Sequence, residues 1–318
     1  MAKSYSELLG LMEILQESIK LLRKNKKILF FIVLYTMISY SILTVANTLS
    51  LLLFIRNLAV VMVPVFATHT FDPKSPEFIK QLSVIKDNLV LLFLTQLFFV
   101  LLMSLVSLFS VVSTIYVSAM SYLGKDLTLK DLYLKIKLIW SRPIITWFYF
   151  SLLSGGFIVM ILPLSFLLSS ESIISVAIGI VIIILAIGIN AYFSLLWMLS
   201  LVSSVLEDCS GFQALGKAEK LVQGRKIVGL FLTFIVMMLF SAVVFPSMVN
   251  SRNQAVFVRI LMILVTLGLG ILVKIMSMTV YTVFYFDRKH SCGEQVEVED
   301  SVEYSRVSAV SLVESAIP

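Results

Sequence analysis

Apolar and polar positions along the chain sort into six long apolar stretches, at roughly 28–54, 88–119, 144–169, 172–206, 227–248 and 257–286, joined by short charged segments. Each exceeds the ~20 residues that a helix needs to cross a bilayer, and the longer ones predict helices that tilt or protrude beyond it. Backbone polar groups in lipid must be satisfied within the segment, so the pattern predicts an all-α integral membrane protein with six transmembrane helices.

Ahead of each odd-numbered span the apolar spacing changes to three or four residues, which marks a short amphipathic helix. The stripes run Leu8, Leu11, Leu15, Ile19 and Leu22; then Leu129, Leu132, Ile136 and Ile139; then Phe212, Leu215 and Val222. Start signals precede them at Ser4 with Glu7, Thr128 with Asp131 and Ser210 with Gln213, where a hydroxyl can accept from the backbone N–H three residues on. Such helices are expected to lie flat in the cytosolic interface, apolar side toward lipid and lysines toward headgroups. The second and third units also align without gaps, with seven identical pairs that include Lys137 with Lys220, Arg142 with Arg225 and Phe148 with Phe231. The expected organisation is three hairpins, each preceded by its interfacial helix. Residues 1–27 form a cytosolic amphipathic helix, 28–286 a membrane domain with interfacial helices near 129–141 and 211–223, and 287–318 a disordered cytosolic tail.

Composition agrees with that pattern. A chain of 318 residues that is 59% hydrophobic and 14% charged, with a mean hydropathy of +1.01, carries more apolar surface than a soluble fold of its size can hide. The first 27 residues hold Glu7, Glu13 and Glu17 among their lysines, which argues against a cleaved signal or a transit peptide.

Lysine and arginine set the orientation. Eighteen of them fall in the N-terminal segment, the segments between spans two and three and between four and five, and the tail; six fall on the other side. The positive-inside rule then places both termini in the cytosol. The net charge of +6 reflects topology and anionic headgroups and implies nothing about nucleic acid. Lys135, Lys137, Arg142, Lys217 and Lys220 are the expected lipid contacts of the interfacial helices, with cytosolic proteins as further partners. The expected location is the endoplasmic reticulum or another endomembrane, or the plasma membrane.

Between spans one and two, residues 55–87 read as the only sizeable extracytosolic loop, with the apolar stretch Leu58 to Phe66 broken by Pro64. Cys209 and Cys292 fall in cytosolic segments and read as free thiols. Cys292 stands six residues past the last span, where a reversible acyl chain can attach, but an inert thiol is the expectation.

Catalytic chemistry finds no constellation. The string Gly211 to Ala218 nearly spells a phosphate-binding loop, but Ala218 lacks the magnesium-ligating hydroxyl and the string follows a membrane helix instead of a strand. His69 and His290 stand on opposite expected sides of the membrane, and no paired acids lie within a span. The chain reads as a non-enzyme without cofactor or metal.

One ionisable residue lies deep in a span. Lys274 costs about 2.5–3.5 kcal/mol on insertion scales, so it must face protein, water or a bound anion. Asn190 and Gln96 are its candidate neighbours. Two readings stay open: a lysine that snorkels toward the headgroups, or an internal anion or lipid pocket of a transporter or lipid-handling protein. Ser104, Ser107, Ser110, Ser113, Ser118 and Ser121 on span two, with Ala186, Asn190 and Ser194 on span four, have the spacing of packing seams. Ser154, Gly155, Gly156 and Pro163 are expected to mark a close contact and a kink in span three.

The run Ser203-Ser-Val-Leu-Glu207, then Gly211, Ala214-Leu215, Lys217, Leu221 and Gly224, followed by Thr282-Val-Phe-Tyr-Phe286, resembles a family of plant six-span membrane proteins. Tyr122-Leu-Gly-Lys125 leading to Trp140-Ser-Arg-Pro143 fits it too. Members are named only as transmembrane or polyadenylate-binding-protein-binding-like proteins, and are more distantly similar to membrane domains attached to bacterial glycerophosphodiester phosphodiesterases. The resemblance covers about residues 5–290, with Ala218 standing where many relatives carry serine. It implies the six-span fold and brings no catalytic residue. The leading expectation is a structural or adaptor component of a membrane.

Overall fold

A computed structural model describes residues 2–67, 76–161, 173–249 and 256–291. His69, Lys74, Pro163, Cys292 and the rest of the expected tail lie outside them. Every element among the described residues is an α-helix: α1 (Ala2–Lys24), α2 (Lys26–Ala67), α3 (Pro76–Tyr122), α4 (Leu129–Ile139), α5 (Ser141–Ile161), α6 (Ile173–Leu206), α7 (Phe212–Gln223), α8 (Lys226–Val249) and α9 (Val256–Ser291). Five of them, α2, α3, α6, α8 and α9, contain stretches long and apolar enough to cross a membrane. The stretch expected at 144–169 begins in α5 and runs on into residues outside the description.

Three helix ends differ most from expectation. The loop expected at 55–87 is helical up to Ala67 and again from Pro76. Pro64 forfeits one backbone hydrogen bond close to the helix end, and Pro76 sits in a first turn where its missing N–H costs nothing. At the other end, α9 continues to Ser291, so Asp287, Arg288 and Lys289 belong to a helix and not to a disordered tail.

The chain divides into two compact units. In the unit Leu34–Phe109, α2 and α3 run antiparallel: the Tyr35 and Phe109 rings meet edge-on at 5.1 Å, and roughly three and a half turns along, Gln96 donates its amide to Asn47 Oδ1 at 3.0 Å. Leu49, Leu52, Phe93 and Phe98 are exposed on its surface, as lipid-facing side chains are.

The second unit comprises Met1–Val33 and Ser110–Pro318. Its core is formed by Val112 and Ile115 of α3, Leu195, Leu199 and Val202 of α6, Leu232 of α8, and Phe284 and Tyr285 of α9. Hydroxyl pairs join helices inside it: Ser118 with Thr279 at 3.0 Å, and Tyr281, which donates to Thr233 at 2.9 Å. The serine seam on span two is buried here at Ser110, Ser113, Ser118 and Ser121. Gly155 and Gly156 on α5, by contrast, are exposed, with nothing within 4 Å of a Cβ added to either. No close contact explains them.

All three short helices pack on protein: α4 docks with most of its expected apolar stripe, while α1 and α7 use a face different from the one their strongest stripe suggests. Helix α1 packs against α8 and α9 and buries Ile14, Ser18 and Leu21, while Ile19 stays exposed. Helix α7 buries Ala214, Ala218 and Val222 and leaves Phe212 71% exposed. Helix α4 buries Leu132, Ile136, Ile139 and even Lys135, with Leu129, Tyr133 and Leu138 outside. Small side chains let helix axes approach closely, so a face containing Ser18 or Ala214 and Ala218 docks better than a bulkier neighbour. Apolar side chains therefore fall on both the protein-facing and outward sides of these helices.

Start signals fared unequally. Thr128 accepts from the Asp131 backbone N–H at 3.3 Å and caps α4 as expected. Helix α7 is capped instead by Gly211, which offers no side chain, and α1 begins at Ala2, ahead of Ser4.

Candidate functional site

Charges flanking the apolar helices of the larger unit converge on Glu207, just past the end of α6. Its backbone N–H still reaches Ser203 O at 2.8 Å, and its own carbonyl accepts from Cys209 N at 2.8 Å, closing a tight turn. Gly211 then takes φ 56° and ψ −126°, a conformation that L side chains rarely adopt. An added Cβ there would also meet the Tyr149 ring at 3.0 Å. The Gly211 N–H donates to Thr146 Oγ1 of α5 at 2.9 Å, and the chain reverses into α7.

That reversal carries Lys217 back over Glu207, where its ammonium meets Oε2 at 2.6 Å. Lys289 Nζ reaches Oε1 at 2.6 Å, and Tyr285 donates its hydroxyl to the same oxygen. Glu207 is 17% exposed and Lys289 only 10%, so that side of the cluster is largely removed from water, while Lys217 is half-exposed. Burial pushes the Glu207 carboxyl up, but the hydrogen bonds from Lys217, Lys289 and Tyr285, with the Lys289 charge, outweigh it and hold its pKa at about 2. The group is thus an ionised clamp on α6, α7 and α9, and a poor proton donor or acceptor near neutral pH.

Further pairs extend the clamp. Arg142 at the start of α5 pairs with Asp208, Arg225 pairs with Asp287 at 3.3 Å, and Arg288 Nε donates to Leu221 O at 3.0 Å. The last bond occupies a carbonyl in the closing turn of α7, where cations are favoured. Gly224 makes room for it: a Cβ there would stand 1.9 Å from the Arg288 guanidinium. Burial raises the pKa of the Cys209 thiol, whose Sγ contacts Ser203 O at 3.5 Å.

Beside the clamp, α5, α6 and α7 enclose a cleft of about 310 Å³ whose lining includes Tyr149, Phe150, Leu153, Trp197 and Phe212. Phe150 stacks on Trp197 at 3.8 Å, and Tyr149 lies against Phe212 at 4.9 Å. Among the described residues no group of three or more His, Cys, Asp and Glu could hold a metal ion.

The cations expected to meet headgroups divide into three states. Lys137 and Lys220 are exposed; Lys217 and Arg142 are engaged in ion pairs; Lys135 is buried. Of the residues proposed for an internal pocket, Lys274 is half-buried on α9, Asn190 is exposed on α6, and Gln96 is bonded to Asn47. Exposed Asn190 does not wall an enclosed polar cavity. Glu207, Tyr285, Asp287 and Lys289 were not singled out from the sequence as a site. The available signal was the adjacent acids Glu207 and Asp208 directly after an apolar span.

A model of the family described as a domain of unknown function, DUF8558, matches residues 2–304. The chain belongs to that family. No curated protein matches it, and no solved structure does. The match spans the clamp, the cleft and every described helix, so both sites belong to the domain.

Proposed function

We propose that this DUF8558 member is a non-enzymatic, six-span scaffold or adaptor of an endomembrane or the plasma membrane, with both termini in the cytosol. The third span is assigned to 144–169. The observation that carries the reading is the Glu207 clamp. Its carboxylate is saturated by two ammonium groups and a phenol, which suits it to holding helix ends in fixed register and not to turnover. The surface so held presents Lys137 and Lys220 outward, where they suit anionic headgroups or acidic segments of cytosolic partners. The likeness of residues 5–290 to plant six-span proteins supports the membrane role and brings no activity with it.

Reconstitution tests this against transport. Proteoliposomes holding the full chain should pass labelled organic anions, and scramble labelled lipids, no faster than protein-free vesicles. Protein-dependent flux that Lys274→Leu abolishes would replace the scaffold with the transporter.

A further inference from the structure

We infer that the cleft between α5, α6 and α7 is a binding site for one acyl chain of an anionic phospholipid, with Arg142 at its headgroup end. The inference rests on the bilayer placement proposed above and not on the adaptor role.

The cleft's shape and chemistry favour a chain over a polar ligand. Its volume of about 310 Å³ falls at the small end of ligand sites, enough for part of a lipid and not for a whole one. Its walls are mostly rings and aliphatic side chains, with Thr146 and Ser200 among them, and Leu152, Leu153 and Phe212 on its lining are also exposed, so the cleft is open to the surface. The Gly211 N–H at its edge is already bonded to Thr146 and asks nothing of a ligand. A peptide would bring more backbone N–H and C=O groups than the few hydroxyls of these walls can satisfy, whereas an acyl chain brings none.

Charge supplies the second half of the argument. Thr146, part of the lining, donates its hydroxyl to Arg142 O at 3.1 Å, which puts Arg142 one helical turn from the cleft. Arg142 is paired with Asp208, but both side chains are more than a third exposed. Exposed pairs contribute little, and a guanidinium binds phosphate through two parallel hydrogen bonds. Arg142 can therefore exchange Asp208 for a phosphodiester, or hold both, when a chain enters.

The test is native mass spectrometry of the full chain in neutral detergent, titrated with phosphatidylglycerol or with phosphatidylcholine of identical chains. The wild type should retain one phosphatidylglycerol in preference to phosphatidylcholine. Leu153→Trp, which fills the cleft from its exposed rim, should lower the occupied fraction roughly tenfold at unchanged melting temperature. Arg142→Gln should retain lipid but lose the headgroup preference. Phe212→Ala serves as a second cleft variant, with the same loss expected, should Leu153→Trp melt early. No retained lipid in the wild type, or equal retention by both cleft variants, would overturn the inference. A proteoliposome flux result leaves this outcome unaffected, so scaffold and lipid site fail separately.

Discussion

Tyr285 donates its hydroxyl to the Glu207 oxygen that also holds the Lys289 ammonium, across a sequence separation of 78 residues. The Lys289 ammonium also lies 5.8 Å from the centre of the Tyr285 ring, within the range of a cation–π attraction. One turn of α9 thus presents a phenol and an ammonium to one carboxylate, and the end of α6 is held to α9 through both.

Removing that carboxylate should be costly. Glu207→Gln leaves Lys289 nearly buried without its counter-charge, which destabilises a protein by about 3 kcal/mol. Thermal unfolding in detergent should show a clear fall, and Lys289→Met on top of Glu207→Gln should recover part of it. A double variant no better than the single would show that the buried charge is not the cause.

The same group sets an acid limit. A free glutamate has a pKa of about 4.3, whereas in the fold the Glu207 pKa is lowered to about 2. Its folded value is the lower one, so its contribution is complete above the unfolded pKa and is lost as pH falls toward 2. The stability difference between wild type and Glu207→Gln should be constant near neutrality and shrink as the solution is acidified below about pH 4. A difference independent of pH over that window would refute the assignment.

Gly211 tolerates a side chain poorly, for reasons of both backbone and space. Gly211→Ala must hold φ 56° against its Cβ and press on Tyr149, at a cost of about 1–3 kcal/mol. Gly216→Ala on α7, where nothing lies within 4 Å of the added Cβ, is the control and should be neutral or slightly stabilising.

Topology can be read in cells. Engineered glycosylation acceptors beside Lys74 should be modified, and those beside Lys130 should not, because lysines and arginines concentrate on the Lys130 side. The opposite pattern would invert the protein in its membrane.

Lys274 separates the scaffold from the transporter. Lys274→Leu removes an insertion cost and should melt at or above the wild-type temperature, with lipid retention unchanged because the proposed acyl site lies on α5, α6 and α7. Loss of retained lipid in Lys274→Leu but not in Lys274→Arg would return the ligand to Lys274.

The sequence alone determined which segments are helical and where most of them begin and end. Helices α6 and α8 fall within a residue or so of the stretches expected at 172–206 and 227–248, because hydropathy and period are local properties that the backbone obeys wherever it sits. The cap at Thr128 was legible for the same reason. The docked face of α4 was legible too, at Leu132, Ile136 and Ile139; those of α1 and α7 were not, since Ser18, Ala214 and Ala218 win by permitting close approach to a particular neighbour, and a stripe count sees only apolarity. The partners of Glu207 were beyond the sequence for a related reason. Lys217, Tyr285 and Lys289 lie 10, 78 and 82 residues away, and only the packing of α6, α7 and α9 decides that those ammonium groups, out of 25 lysines and arginines, meet that one carboxylate.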